Sequence, residues 1–407
     1  MEKLKVAVVG CGAFAKFFVP LFQAHPTVGQ VFCCDLVAEK AQDYAGKFGV
    51  EIIGSFEECL ARQDINCVAI FTERHTHAPF AIAALNAGKH VYCAVPMACT
   101  PEECRDIIEA VQRTGLTYMM GETCVYYPCS MYCKQELEKG TFGKFVYGES
   151  QYFHDLSHFS EKFRTDLASY TLPPFFYPTH STAMVLNAAD TYAVKVTAFG
   201  YRDEDERFQP ENNPWGNTFS DEFSLMQLAN GGVARVSECR RIGYKSPSSY
   251  ISGFYGTKGT YQFSNAQHVV TQLTEKGVEL KDVSQEVNPR QMTENIQDPE
   301  FKNKAANHVW QWNSFSPVQD EEVARLPQAF LDMPEENGHM ASHQLLIDDF
   351  CRAVSQHKLP KVHAWKAARF TIPGLMAHRS AQQGGVPVDI PDYGDVPESF
   401  MKEFEEE

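Results

Sequence analysis

Leu4-Lys5-Val6-Ala7-Val8-Val9-Gly10-Cys11-Gly12-Ala13-Phe14-Ala15 is the stretch whose reading decides the fold. Its first six residues are mostly apolar, as in a short parallel strand buried on both faces. The G-x-G-x-x-A that follows turns the chain sharply and opens a helix. Gly10 permits the tight turn, Gly12 lets backbone approach a pyrophosphate, and Ala15 is small enough for helix and strand to pack closely. The helix N-terminus then favours phosphate. Asp35 ends a second strand about 20 residues further on, where a carboxylate binds ribose hydroxyls and repels a 2′-phosphate. The pattern predicts an NAD site built from Gly10, Gly12, Ala13, Phe14, Ala15 and Asp35. The competing reading is a glycine turn in another α/β fold with Asp35 a solvated strand end. The strand–turn–helix setting favours the dinucleotide.

Outward from this loop, strands and helices alternate. A helix is predicted to about residue 24, a strand over 31–35, a helix over 38–48 and a strand over 66–71. Next come a helix over 77–87 stopped by Gly88, a strand over 91–93 and a strand over 117–120. Thr100-Pro101-Glu102-Glu103 carries a cap residue, a first-turn proline and a capping-box glutamate. Such alternation predicts a doubly wound parallel sheet. Beyond Thr123 the pattern changes. A helix over 130–139 is followed by strands over 145–153, 195–201, 222–229, 232–239, 250–255 and 259–263. Residues 203–217 read as a surface loop, 282–338 as polar and unassigned, and 342–357 and 364–383 as closing helices. The fold class is α/β. It combines an N-terminal Rossmann domain over 1–123 with a C-terminal α+β domain over 124–407, whose mostly antiparallel sheet is open.

Composition removes several function classes. A net charge of −16 argues against nucleic acid and anionic membranes, both of which need clustered Lys and Arg. No apolar run reaches the roughly 18 residues that span a bilayer. The N-terminus leads directly into a strand, so a cytoplasmic protein is expected. Thirteen scattered cysteines read as free thiols in a reducing compartment. Cys124, Cys129 and Cys133 lack a C-x-x-C pair, so no metal is expected there. His154 and His158 read as strand running into loop rather than a metal pair. His339 and His343, before a closing helix, read as surface or capping residues. Tyr126, Tyr127 and Tyr132 read as packing, although such rings also stack on sugars.

Gly88-Lys89-His90-Val91-Tyr92-Cys93-Ala94-Val95-Pro96 resembles the G-K-H-V-x-x-E-K-P segment of the Gfo/Idh/MocA family of sugar-handling, nicotinamide-dependent proteins. Thr72-Glu73-Arg74-His75-Thr76-His77 resembles that family's T-P-x-x-x-H, and Gly256-Thr257-Lys258-Gly259-Thr260 one of its structural turns. The resemblance covers nearly the whole chain. It implies that Thr72, Arg74, His77, Ala94, Val95 and Thr123 line the cofactor. Glu73 and Arg74 could equally form a solvated loop pair. In ordinary family dehydrogenases a lysine stands at Val95 and an aspartate at Phe176, and both handle protons. Here both positions are apolar.

One branch, the NAD-dependent α-N-acetylgalactosaminidases, is similar at four separated places. It shows E-V-P at Ala94-Val95-Pro96 and Y-P-T-H at Tyr177-Pro178-Thr179-His180. Its E-N-C-C-Y resembles Glu122-Thr123-Cys124-Val125-Tyr126, and its Y-x-H-D resembles Tyr152-Phe153-His154-Asp155. Ala94 and Thr123 depart from the branch pattern. The resemblance implies a glycoside hydrolase with tightly bound NAD that is not consumed. Hydride leaves C3 of the sugar, the ketone acidifies the C2 proton, the C1 substituent is eliminated, water adds, and the hydride returns. Tyr177 and His180 are the implied proton-handling residues, unless they are a structural hydrogen-bonded pair. Tyr152, His154, Asp155 and Arg164 are implied substrate contacts. A carbohydrate substrate and a homo-oligomer, dimer or tetramer, are the implied partners. An NAD-dependent sugar or polyol dehydrogenase, and an inactive NAD-retaining sugar-binding protein, are the alternatives.

Overall fold

The computed structural model describes residues 3–157, 159–243, 249–263, 267–287, 299–300, 315–333, 337–398 and 400. His158 therefore lies outside the described residues. Two compact units emerge. One comprises residues 1–123, 321–369 and 392–407, the other 124–320 and 370–391. The second domain expected over 124–407 is thus not continuous, because two later segments return to the first unit. Their side chains are the reason. Phe350 packs its ring against Phe22 and Tyr92, Asp348 lies 3.3 Å from His25, and Arg369 holds Asp392 and Asp395.

The first unit carries six strands, β1 (Leu4–Val9), β2 (Val28–Cys34), β3 (Glu51–Ile52), β4 (Cys67–Ile70), β5 (His90–Cys93) and β6 (Tyr118–Met120). They are all parallel, in the order β3-β2-β1-β4-β5-β6. Val9 stands beside both Cys34 and Ile70, so the ends of the three central strands are level under the glycine loop. The reversal of strand order between β1 and β4 creates the crevice where such sheets bind ligands. The Met120 amide reaches the Val362 carbonyl and Met119 bridges to His363, which covers the β6 edge.

Local sequence explains the helices. Thr100 and Glu103 exchange both capping-box hydrogen bonds. Gly88 at φ +78° ends the helix Arg74–Asn86. The helix after the glycine loop differs from expectation: a 3₁₀ turn over Ala15–Phe17 precedes the α-helix Val19–Ala24. Pro20 has no N–H to reach residue 16, so the α-ladder cannot run through from Ala15. The helix Phe56–Ala61 was readable from Ser55-Phe56-Glu57-Glu58, since Ser55 accepts from the Glu58 amide at 3.1 Å.

Among the described residues the second unit carries a nine-stranded open sheet. Its strands are β7 (Phe145–Phe153), β8 (Ala193–Arg202), β9 (Phe219–Leu228), β10 (Val233–Cys239), β11 (Ser249–Gly256), β12 (Gly259–Phe263), β13 (His268–Thr274), β14 (Gly277–Asp282) and β15 (Val388–Asp389). The order is β14-β13-β12-β11-β7-β10-β9-β8-β15, and among the described residues only β7 and β10 pair in parallel. The helix Thr179–Ala188, buried along its whole length, packs on one face. The other face exposes Phe199, Tyr201, Phe223 and Leu225. β13 and β14 were absent from the sequence reading; Val278 and Leu280 alternate with Glu279 and Lys281, but every residue of β14 is exposed, so the alternation marks no buried face.

Three histidines of the first unit set an acid limit. His77 is buried, and His90 and His363 are half-buried. Loss of solvation is the first cause at each, and it pushes all three down to about 4. The unfolded chain binds these protons near pH 6.5 and the folded chain only near 4. Their stabilisation is therefore complete above about pH 6.5 and is lost as pH falls toward 4, by up to about 3 kcal/mol each. Urea unfolding midpoints should decline across that window. A His90→Asn/His363→Asn variant should show a shallower decline.

Candidate dinucleotide and sugar sites

The first unit holds a cleft of about 340 Å³ at the ends of β1, β2 and β4. Gly10, Gly12, Asp35 and Thr72 line it, as expected from sequence. Lys40 and Phe80 line it too and were missed. Gly10 has φ +95°, and a Cβ there would meet the Phe71 carbonyl oxygen at 2.6 Å, so both conformation and space demand glycine. Asp35 accepts from the Cys11 amide at 2.7 Å and from the Val37 amide at 2.8 Å. One carboxylate thus fixes the glycine loop against the end of β2. Tyr44 donates to the Gly12 carbonyl and holds the loop from the other side. A tight glycine cradle beside a strand-end carboxylate fits a dinucleotide.

The remaining predicted residues divide by depth. Ala13 is exposed and Ala15 buried behind the loop. Phe14 packs edge-on against Phe18, His339 and His343. Of the surface or capping roles expected for His343, burial rules out the first: it opens the helix His343–Ser355 and lies 2.8 Å from His339. His77 is buried, with its ring nitrogens 2.7 Å from the Pro96 carbonyl and 3.1 Å from that of Thr72. It braces the loop from behind. Ala94, Val95 and Thr123 are buried, and Arg74 is half-buried at the start of its helix. None of these lines the cleft described above.

In the second unit Tyr177 and His180 come together at the start of the helix Thr179–Ala188. The His180 Nε2 lies 3.2 Å from the Tyr177 hydroxyl, and its Nδ1 lies 3.6 Å from the Cys124 thiol. A neutral imidazole between these partners donates from one nitrogen and accepts at the other. The Tyr152 ring stands edge-on to His180 at 5.1 Å. Burial pushes the Tyr152 phenol well above the ordinary tyrosine range, so it stays protonated, and its hydroxyl lies 2.5 Å from His154 Nδ1. Phe176, where ordinary family dehydrogenases carry aspartate, packs against Trp215 and His378.

Asp155 spends its carboxylate on Ser157 and the Gly243 amide, which shapes the loop after β7. Arg164 sits half-buried on the short helix Glu161–Thr165, and its carbonyl accepts from Arg207. Cys129 and Cys133 are buried, and burial raises both thiols, Cys129 to about 11, which keeps them neutral. Sequence reading missed Arg240 and Glu238. Arg240 lies over the Tyr152 ring at 4.7 Å and the Tyr177 ring at 5.7 Å, and it pairs with Glu238 at 3.0 Å. Strand periodicity carries no sign of either role.

The crevice, glycine cradle and carboxylate define a dinucleotide-binding α/β protein. Residues 4–122 match the model of the Gfo/Idh/MocA oxidoreductase family, NAD-binding Rossmann fold. Across almost its whole length the chain resembles proteins named glycosyl hydrolase family 109. It is 25% identical over 422 residues to one from Streptomyces filamentosus, covering 96% of this chain and 77% of that protein. It is 22% identical over 420 residues to one from Solibacter usitatus, covering 96% and 88%. In fold it matches levoglucosan dehydrogenase in complex with NADH, with a TM-score of 0.70 at 19% identity, covering 96% of this chain and all of that one. Among the described residues no helix is long and apolar enough to cross a membrane.

Gly10→Ala should abolish NAD binding, measured by calorimetry, while the second unit keeps its near-ultraviolet circular dichroism. Asp35→Ala should weaken NAD binding at least tenfold and narrow its advantage over NADP.

Proposed function

We propose that the protein is an NAD-dependent glycoside hydrolase that oxidises a sugar transiently at C3 to break its C1 bond. The hydrogen-bonded Tyr177–His180 pair carries this reading, set in a second unit whose whole-chain relatives bear the glycosyl hydrolase name. Bound NAD supplies the acceptor for the C3 hydride and the donor that restores it. The chain's own groups then have to move protons. Val95 and Phe176 cannot do so, being apolar. Tyr177 and His180 can, because a phenol and an imidazole in contact each carry a group able to give or take a proton. A ketone at C3 makes the C2 proton acidic enough for such groups. The pair of carboxylates used in direct glycoside cleavage is then unnecessary. Tyr152, kept protonated and tied to His154, orients the wall of the site.

A sugar dehydrogenase is the second reading, supported by the match of residues 4–122 to an oxidoreductase family model and by the likeness in fold to levoglucosan dehydrogenase. The thirteen free thiols, all but Cys99 buried, suit a reducing compartment, and the proposed location is the cytoplasm. The exposed apolar face of β8 and β9 supports a homo-oligomer, a dimer or tetramer. Phe199 and Phe223 stand opposite each other there, with Leu225 two residues along β9.

Aryl glycosides should release aglycone in the presence of NAD⁺ without NADH accumulating. Stoichiometric NADH growth from free sugars would instead establish the dehydrogenase. His180→Ala should lose turnover at least a hundredfold while NAD affinity, measured by calorimetry, is unchanged. Phe199→Lys/Leu225→Lys should elute at monomer mass under light scattering, against a larger wild-type particle.

A further inference from the structure

Arg240 immediately follows β10, and its backbone is fixed there. Its amide donates to the Ser220 carbonyl at 3.0 Å and lies 3.1 Å from an Asp221 carboxylate oxygen. The residue is only 6% exposed. Nη2 donates to Glu238 at 3.0 Å, and Glu238, fully buried, also accepts from the Ser181 hydroxyl. Nη1 is different: it is buried and has no hydrogen-bond partner among the described residues. A guanidinium N–H left unmatched away from water is costly. Its surroundings say what would match it. The guanidinium lies over the rings of Tyr152 and Tyr177, and Tyr177 is hydrogen-bonded to His180. Glu238 already offsets the charge of Arg240, so a carboxylate or phosphate would bring a second anion with no counter-charge in the pair. A hydroxyl or carbonyl oxygen needs only the N–H.

We propose that Arg240 Nη1 is a substrate-binding donor that hydrogen-bonds the sugar oxygen oxidised during the reaction. This rests on the transient-oxidation reading above. When the C2 proton is removed, its electron pair shifts toward the C3 carbonyl oxygen. The pair then returns to form the C1–C2 double bond as the C1–O bond to the aglycone breaks, and the leaving oxygen takes a proton. Negative charge rises on the C3 oxygen only between the first and last of these states. A fixed N–H in a dry site stabilises that oxygen more than the starting hydroxyl, which is how a donor lowers a barrier instead of merely tightening binding.

The test uses the full-length protein with NAD, 4-nitrophenyl N-acetyl-α-galactosaminide for turnover, and N-acetylgalactosamine and free hexoses for calorimetric binding. Arg240→Met should lower turnover roughly 10²–10³-fold and slow deuterium uptake at C2 in parallel. Sugar affinity should fall about tenfold and NAD affinity should stay within twofold. Arg240→Lys should restore only part of this, because an ammonium cannot keep the Glu238 bond and present a second fixed N–H together. Since Arg240→Met alone strands the Glu238 charge, Arg240→Met/Glu238→Leu removes both charges and should show the same losses in a folded protein. Wild-type sugar affinity and C2 exchange in that double variant would overturn the assignment. If the wild type instead accumulates NADH from free sugars, the hydrolase reading fails, and sugar affinity in the Arg240 variants alone decides whether the N–H binds substrate.

Discussion

The carboxylate of Asp35 is the tie on which the first unit's site depends. It grips the Cys11 amide with one oxygen and the Val37 amide with the other. β1 and β2 are neighbours in a level register, so this one side chain joins the turn leaving β1 to the turn leaving β2. The turn needs such a hold. Gly10 is in a left-handed conformation with the Phe71 carbonyl against its Cα, and backbone so placed stays put only when its surroundings determine it. Tyr44 from one side and the Phe14 ring cluster from another complete that determination. The residue that meets ribose in such folds thus also shapes the loop that meets phosphate.

Much of the first unit was legible in the sequence because its signals are local. Strand, glycine turn and helix follow one another, and Thr100-Pro101-Glu102-Glu103 folds as its cap chemistry requires. What escaped were features set by distant partners. Pro20, which divides a helix that periodicity reads as one, is the local exception. His343 looks like a surface residue until Phe14 and Phe18 come to meet it from across the sequence. The return of residues 321–369 to the first unit has no local mark, since it is written in pairs such as His25 with Asp348.

The second unit shows the same division more sharply. Tyr177 and His180 are three residues apart and could be read together. Arg240 stands about sixty residues further on, and nothing in Cys239-Arg240-Arg241 distinguishes a buried cation from a solvated one. Its role follows from burial and from the two rings beneath it. Likewise Asp155, which the resemblance implies as a substrate contact, also holds Ser157 and the Gly243 amide, a loop-shaping role that no local pattern marks. The chemistry at this site was partly readable, but its electrostatics came only from the fold.

The single parallel pairing in an otherwise antiparallel sheet has a geometric result. β7 and β10 run the same way, with Tyr152 beside Glu238 and Phe153 beside Cys239. Both strands therefore end at one rim, and the backbone stays joined beyond them, from His154 to Cys239 and from Leu156 to Arg240. In an antiparallel pair of this length the two exits would lie roughly 20 Å apart, at about 3.3 Å per residue. Here the segment after one strand delivers His154 and the segment after the other delivers Arg240 to the same place. The second unit thereby reproduces, with two strands, the device its Rossmann partner builds with six: loops gathered at the carboxyl ends of parallel strands.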